Sequence, residues 1–274
     1  MHPICFTCGT QFAESPAPPE RCPICEDERQ YVGWAGQEWT TLAELGARHR
    51  LAFKDEGDGL LGIGVEPKFA IGQRALLVPA QGDAGPGRNV LFDGISLLDG
   101  AALRVVEALG GLSAIAVSHP HYYGSMVDWS RAFGGVPIWL HAEDRRWVMR
   151  PDSAIRFWEG DELALGPGLT LLRLGGHFAG AQVLHWAGGA EGRGVLLAGD
   201  VLQVVQDRRF VSFMYSYPNY IPLPAATVRR MLERLEPYAF ERIYGAWFGA
   251  VVRADAKAAL RRSAERYIRA LETA

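Results

Sequence analysis

Three apolar runs in this chain each break off into a loop that carries a histidine or an aspartate: "AVSHPHYYG" at 116–124, "LGGHFAGA" at 174–181 and "LLAGD" at 196–200. Each run has the length and character of a buried strand. In extended chain, side chains two residues apart point the same way, so His119 and His121 can grip one ion. His177 and Asp200, each at the end of another strand, can converge on that ion from the same sheet edge. Three imidazoles and one carboxylate suit zinc or iron. The chain is therefore constrained to a fold that gathers several strand ends on one side.

A second constraint lies at the N-terminus. All four cysteines fall in the first 25 residues, as Cys5, Cys8, Cys22 and Cys25, two Cys-x-x-Cys pairs separated by residues 9–21. Two such pairs signal a tetrahedral four-cysteine metal site, here a zinc ribbon over residues 1–35. The knuckles "CFTCG" and "CPIC" also resemble those of rubredoxin, which leaves iron open, although the short spacer favours zinc. A segment this small has no core of its own, so the metal is expected to supply its folding energy. The intervening "AESPAPPER" reads as a Pro-rich loop.

The 274 residues are 49% hydrophobic and 22% charged, with a formal net charge of −3, so no basic face for nucleic acid is expected. Runs such as "GVLLAG" and "LSAIAV" fall far short of the roughly 20 residues of a membrane span. The start "MHPICFTCG" lacks the features of a secretion signal, which gives the cytoplasm as the expected location and a small molecule as the expected partner.

Along the chain, "TTLAELGARHR" predicts a short helix with Thr40 or Thr41 as cap and Glu44 near its third position, strapping the ribbon to the main domain. Strands are expected at 60–67, 68–80 and 89–95, then a helix at 97–111 and a strand at 112–121. A helix at 125–135, a strand at 136–142 and a helix at 143–150 follow. Further strands are expected at 162–176, 181–189 and 193–200. An irregular stretch at 201–224 leads to a helix at 225–237, a strand at 240–247 and a last helix at 254–272. Two halves, each strands then helices, imply an α/β four-layer α/β/β/α sandwich over residues 36–274.

The order "VLFDGI", "SHPHYYG", "GGHFAGA", "LLAGD" resembles the metallo-β-lactamase fold superfamily over about residues 55–274, with the ribbon outside it. The resemblance implies metal ligation by His119, His121, His177 and Asp200, and a ligand-orienting role for Asp93 behind the metal. It also implies a loss. The superfamily's second motif reads His-x-His-x-Asp-His, and here Tyr123 and Gly124 stand where the Asp and final His belong. The last ligand is expected within "IYGAWFG", where Trp247 is the nearest match. One metal is therefore expected in the main domain, zinc or iron, with aromatic side chains filling the second site.

Asp200, Tyr122 and Tyr123 are the candidate catalytic side chains. A tyrosine beside the metal either donates to an oxyanion or plugs the vacated volume. Tyr215, Tyr217, Asn219 and Tyr220, with Trp247, either wall the pocket or pack against the last helix. His141 and His185 read as structural, and His2 and His49 as solvated. The leading functional expectation is a mononuclear metal-dependent hydrolase acting on an ester, thioester, amide or lactone. The alternatives are a mononuclear Fe(II) oxygenase of thiols or persulfides, and a non-catalytic metal-stabilised binding module. The ribbon is expected to contact a protein partner or a second copy, or to cap the pocket. Element-resolved metal analysis of the purified chain should give two ions, one per ligand set; three would overturn the single-metal reading.

Overall fold

The computed structural model describes residues 1–79 and 89–273. The chain divides into two compact units, Met1–Leu140 with Asp144–Phe157, and His141–Glu143 with Trp158–Ala274.

The first unit begins with the ribbon. Its strand Ile4–Cys5 pairs antiparallel with Trp39–Thr40, and a helical turn at Pro23–Glu26 carries the last cysteine. Helix α1 (Leu42–Arg48) follows at once. Of the two expected caps, Thr41 is the one used: it accepts from Glu44 N at 3.3 Å and donates to the Glu44 carboxylate at 3.1 Å. Ile4, Leu45, Phe69 and Leu97 form one buried cluster. Ribbon, α1 and sheet therefore share a single apolar core, which is how a segment with little core of its own stays attached.

Seven strands make up the sheet, in chain order: β1 (Arg50–Gly57), β2 (Leu60–Glu66), β3 (Ala75–Val78), β4 (Asn89–Phe92), β5 (Leu112–Ala116), β6 (Ile138–His141) and β7 (Ile155–Trp158). β1 to β4 run as an antiparallel meander, whereas β4 with β5 and β5 with β6 are parallel. Parallel neighbours need a crossover, and helices α2 (Gly100–Ala108) and α3 (Met126–Ala132) supply them. Asp99 Oδ1 starts α2 by accepting from Ala101 N and Ala102 N, each at 2.9 Å. Those crossovers fix β5, whose end carries the first histidine loop.

Several expectations needed correction. Strands begin at Arg50, earlier than the sequence indicates, because Lys54, Asp55 and Glu56 interrupt the alternation on what is an edge strand. The last of these is buried and meets Arg74 Nε at 3.0 Å. The expected strand at 68–80 shrinks to β3, and its final residue, Ala80, lies outside the described residues. The expected helix at 143–150 is a 3-10 stretch, Ala142–Trp147, cut short ahead of Pro151.

In the second unit a six-stranded sheet also follows chain order: β8 (Glu162–Gly166), β9 (Leu169–Arg173), β10 (Gln182–Trp186), β11 (Val195–Gly199), β12 (Arg242–Gly245) and β13 (Val251–Val252). The expected strand at 162–176 is a hairpin, because "GPG" turns the chain at its centre. β10 and β11 are buried at every residue: β11 is an unbroken apolar run, whereas β10 also buries Gln182, which accepts from Trp158 Nε1 at 2.8 Å, and His185, bonded to Ala239 O. Helix α4 (Ala225–Leu235) buries Val228, Met231 and Leu235, and α5 (Ala256–Glu272) buries Ala256, Ala259, Leu260, Ser263 and Ala264. These helical-period faces pack α4 and α5 together. The irregular stretch at 201–224 contains two short strand pairs, Gln203–Val204 with Val211–Ser212 and Met214–Ser216 with Ile221–Pro222. Among the described residues no helix is long and apolar enough to cross a membrane.

Asp99→Ala removes the acceptor that starts α2 and is expected to cost about 1 kcal/mol. Thermal denaturation should register this as a fall of about 2–4 °C. Asp99→Asn, which keeps an acceptor, should melt near the parent temperature.

Candidate metal centres

Each cysteine knuckle presents its two sulfurs to the other. All four thiols are free and buried, and their sulfurs lie within 4.8 Å of one another. Cys5 Sγ is 3.6 Å from Cys25 Sγ, and Cys8 Sγ is 3.7 Å from Cys22 Sγ. Metal–sulfur bonds of about 2.3 Å in tetrahedral geometry require sulfur separations of about 3.8 Å, so the set fits a single ion. Gln37 Nε2 donates to Cys5 Sγ at 3.3 Å. Hydrogen bonding from Cys22, reinforced by burial, pushes the Cys8 thiol above its ordinary pKa. A divalent cation reverses that preference by drawing the protons off.

The first histidine loop leaves β5 and is fastened to the end of β4. Asp93 N donates to Ala116 O at 2.8 Å, and Asp93 Oδ1 accepts from Ser118 N at 2.8 Å. Ser118 Oγ lies 2.9 Å from His119 Nδ1, so Asp93 orients the backbone and Ser118 the ring. Burial pushes the Asp93 carboxyl up to about 7, against the opposing hydrogen bonds from Ser118. Pro120 opens a 3-10 turn through Tyr122, which swings His121 onto the same side as His119. The two imidazole centroids stand 5.3 Å apart, and the Tyr122 ring lies 4.4 Å from that of His119. Gly94 N donates to Tyr122 O at 3.0 Å. A Cβ on Gly94 would fall 2.4 Å from that oxygen, so only glycine admits the loop this close.

His177 follows a Gly-Gly turn after β9. Its Nδ1 lies 2.9 Å from Tyr215 O and 3.2 Å from Met214 O. Carbonyls only accept, so Nδ1 carries the proton and the lone pair sits on Nε2. Tyr217 braces the same region: its ring is 5.6 Å from that of His177, and its hydroxyl donates to Asp200 O at 2.6 Å. Burial, then the Asp200 charge, push the Tyr217 phenol well up, so it remains a donor.

His119 and His121 stand together after β5 in the first unit, and His177 follows β9 in the second; all three are buried, and imidazoles are the donors of a zinc or iron site. Asp200 is buried at the end of β11. Tyr122 and Tyr123 are buried; burial, then the charge of Asp144, push the Tyr123 phenol well up. Tyr215, Tyr217 and Trp247 are half-buried, while Asn219 and Tyr220 are exposed. His141 and His185 each spend a ring nitrogen on a carbonyl, of Gly160 and Ala239. Sequence reasoning missed Ser118 and the Met214 and Tyr215 carbonyls. A serine before a histidine carries little signal, and a carbonyl carries none.

No family model matches the chain. It is 48% identical over 272 residues to the uncharacterized protein YmaE of Bacillus subtilis (strain 168), covering 98% of this chain and 97% of that protein. The chain belongs to the YmaE family. Among solved structures it is similar to the metallo-β-lactamase VMB-1, with a TM-score of 0.58, 15% identity, and coverage of 81% of this chain and 98% of that one. The Hirschia baltica metallo-β-lactamase gives a TM-score of 0.54 at 18% identity, covering 78% and 96%. The mono-zinc form of FIM-1 from Pseudomonas aeruginosa gives 0.55 at 14% identity, covering 80% and 96%. These likenesses show that the YmaE-family chain has the metallo-β-lactamase fold, as the sequence resemblance implies, and its N-terminal four-cysteine cluster is present.

Gly94→Ala should drive Tyr122 O outward and disorder the adjoining histidine pair. Metal titration is expected to show about a tenfold or greater loss of affinity at the histidines. The four-cysteine site should keep its ion.

Proposed function

We propose that this protein is a metal-dependent hydrolase with a mononuclear centre on His119, His121 and His177, acting on an ester, thioester, amide or lactone. The observation that carries this reading is the buried pair His119 and His121, ring centroids 5.3 Å apart, on a loop fastened by Asp93 and Gly94; His177, also buried, is assigned as the third ligand. The donor set fits zinc, and the mono-zinc form of FIM-1 supports a working comparison with a single ion in this fold. When bound, such an ion polarises a carbonyl and lowers the pKa of a bound water towards about 7.

The chain's own residues take the remaining roles. Asp93 and Ser118 hold His119, and the Met214 and Tyr215 carbonyls fix the tautomer of His177, so both rings are oriented from behind. We assign Asp200 to the carboxylate that joins the ligand set or orients the attacking water and takes its proton. Tyr122, with its ring against His119, is assigned to the developing oxyanion. The four-cysteine site, zinc or iron, is assigned a structural role. A three-imidazole ligand set, where a two-histidine, one-carboxylate set is the hallmark of Fe(II) oxygenases, favours hydrolysis.

The test is a panel of chromogenic esters, thioesters, amides and lactones, run on metal-replete protein and on His119→Ala. Turnover of one class by the parent, lost to background in the variant while it keeps its thermal midpoint and ribbon metal, is the expected result. Equal turnover by both proteins would sink the assignment.

A further inference from the structure

The ribbon does not simply hang from the first unit; it rests on the loop that carries His119 and His121. Cys5 N donates to Thr10 O at 3.0 Å, and Gly9 N donates to Cys5 O at 2.8 Å, so the knuckle fixes the path of residues 9–11. Those residues then reach outward. Gly9 O accepts from Ser96 Oγ at 2.7 Å, two residues beyond the glycine that anchors Tyr122. Gln11 N donates to Gly124 O at 3.0 Å, three residues past His121.

The Gln11 side chain continues the connection. Its Nε2 donates to Asp128 Oδ2 at 2.7 Å, in the first turn of α3. Its Oε1 accepts from Arg150 Nη1, which also donates to Asp128 Oδ1 at 2.7 Å. Gln11 and Arg150 are only 3% and 5% exposed, and the Asp128 side chain 21%, so this triangle is largely shielded from competing water. Charge-assisted bonds in such a setting are the strong ones. The histidine loop is thus held on one side by Asp93–Ile95, which accept or donate to Ser118, Tyr122 and Ser125. On its other side it is held by Gln11.

We infer that Gln11 is a positioning residue through which the four-cysteine ribbon preorganises His119 and His121 for metal binding. An ion on the cysteines fixes the Cys5–Cys8 turn, the turn fixes Gln11, and Gln11 fixes the loop from Gly124 to Asp128. A loop already held in its bound shape loses less freedom when it takes up an ion. The inference rests on the histidine centre proposed above.

Cobalt(II) alone, titrated into the full chain freed of metal, distinguishes the two sets. The tetrathiolate site gives intense thiolate-to-metal absorption in the near ultraviolet and strong long-wavelength visible bands, while the imidazole site gives no thiolate absorption and only weaker bands at shorter visible wavelengths. In Gln11→Ala and in the similarly sized Gln11→Met, those shorter-wavelength bands, read after the ultraviolet band has saturated, should require about tenfold more cobalt, the scale typical of ligand-orienting residues. The ultraviolet band and the thermal midpoint should hold. Unchanged histidine affinity in Gln11→Met would overturn the inference, as would equal weakening of both sets, which is what a purely structural role predicts. A parent protein whose spectrum stops changing once the ultraviolet band saturates, with no further shorter-wavelength bands, would instead overturn the histidine centre itself.

Discussion

His119, His121 and His177 are buried imidazoles, and burying a polar ring is costly unless its nitrogens find partners. Their orientation therefore depends on bonds made behind the rings. On one side these come from Asp93 through Ser118, and on the other from two consecutive carbonyls. The backbone bond from Gly94 to Tyr122 closes the loop around them.

The ribbon follows different physics from the domain it joins. Sulfur spacing near the tetrahedral requirement lets one ion organise residues that bury little apolar surface by themselves. Its apolar contribution, Ile4, enters a cluster with α1 and the sheet, so metal energy and hydrophobic energy act on the same few residues. The Gln11, Asp128 and Arg150 triangle adds a polar link at the other end of the knuckle. The appendage is thus tied to the first unit by both kinds of contact.

Local chemistry was legible in the sequence wherever spacing is short. Thr41 and Glu44, the amphipathic faces of α4 and α5, and the buried runs of β10 and β11 all follow from patterns within a few turns or strand repeats. Legibility failed where neighbours override pattern. β1 hides behind a charged triplet because one of its acids has a buried arginine across the sheet. The 3-10 stretch at Ala142–Trp147 looks helical until Pro151 and the start of β7 limit it.

By itself, the sequence determined which side chains can bind metal and which of them share a face. Two Cys-x-x-Cys pairs and the His119–His121 alternation encode that in covalent spacing. Only the tertiary structure decided which groups hold His119 and His177 in place. Those partners include backbone carbonyls, which every residue has, and contacts such as Gln11 with Asp128, over a hundred positions apart. Such pairings depend on strand order and crossover packing, which no local pattern of residues specifies.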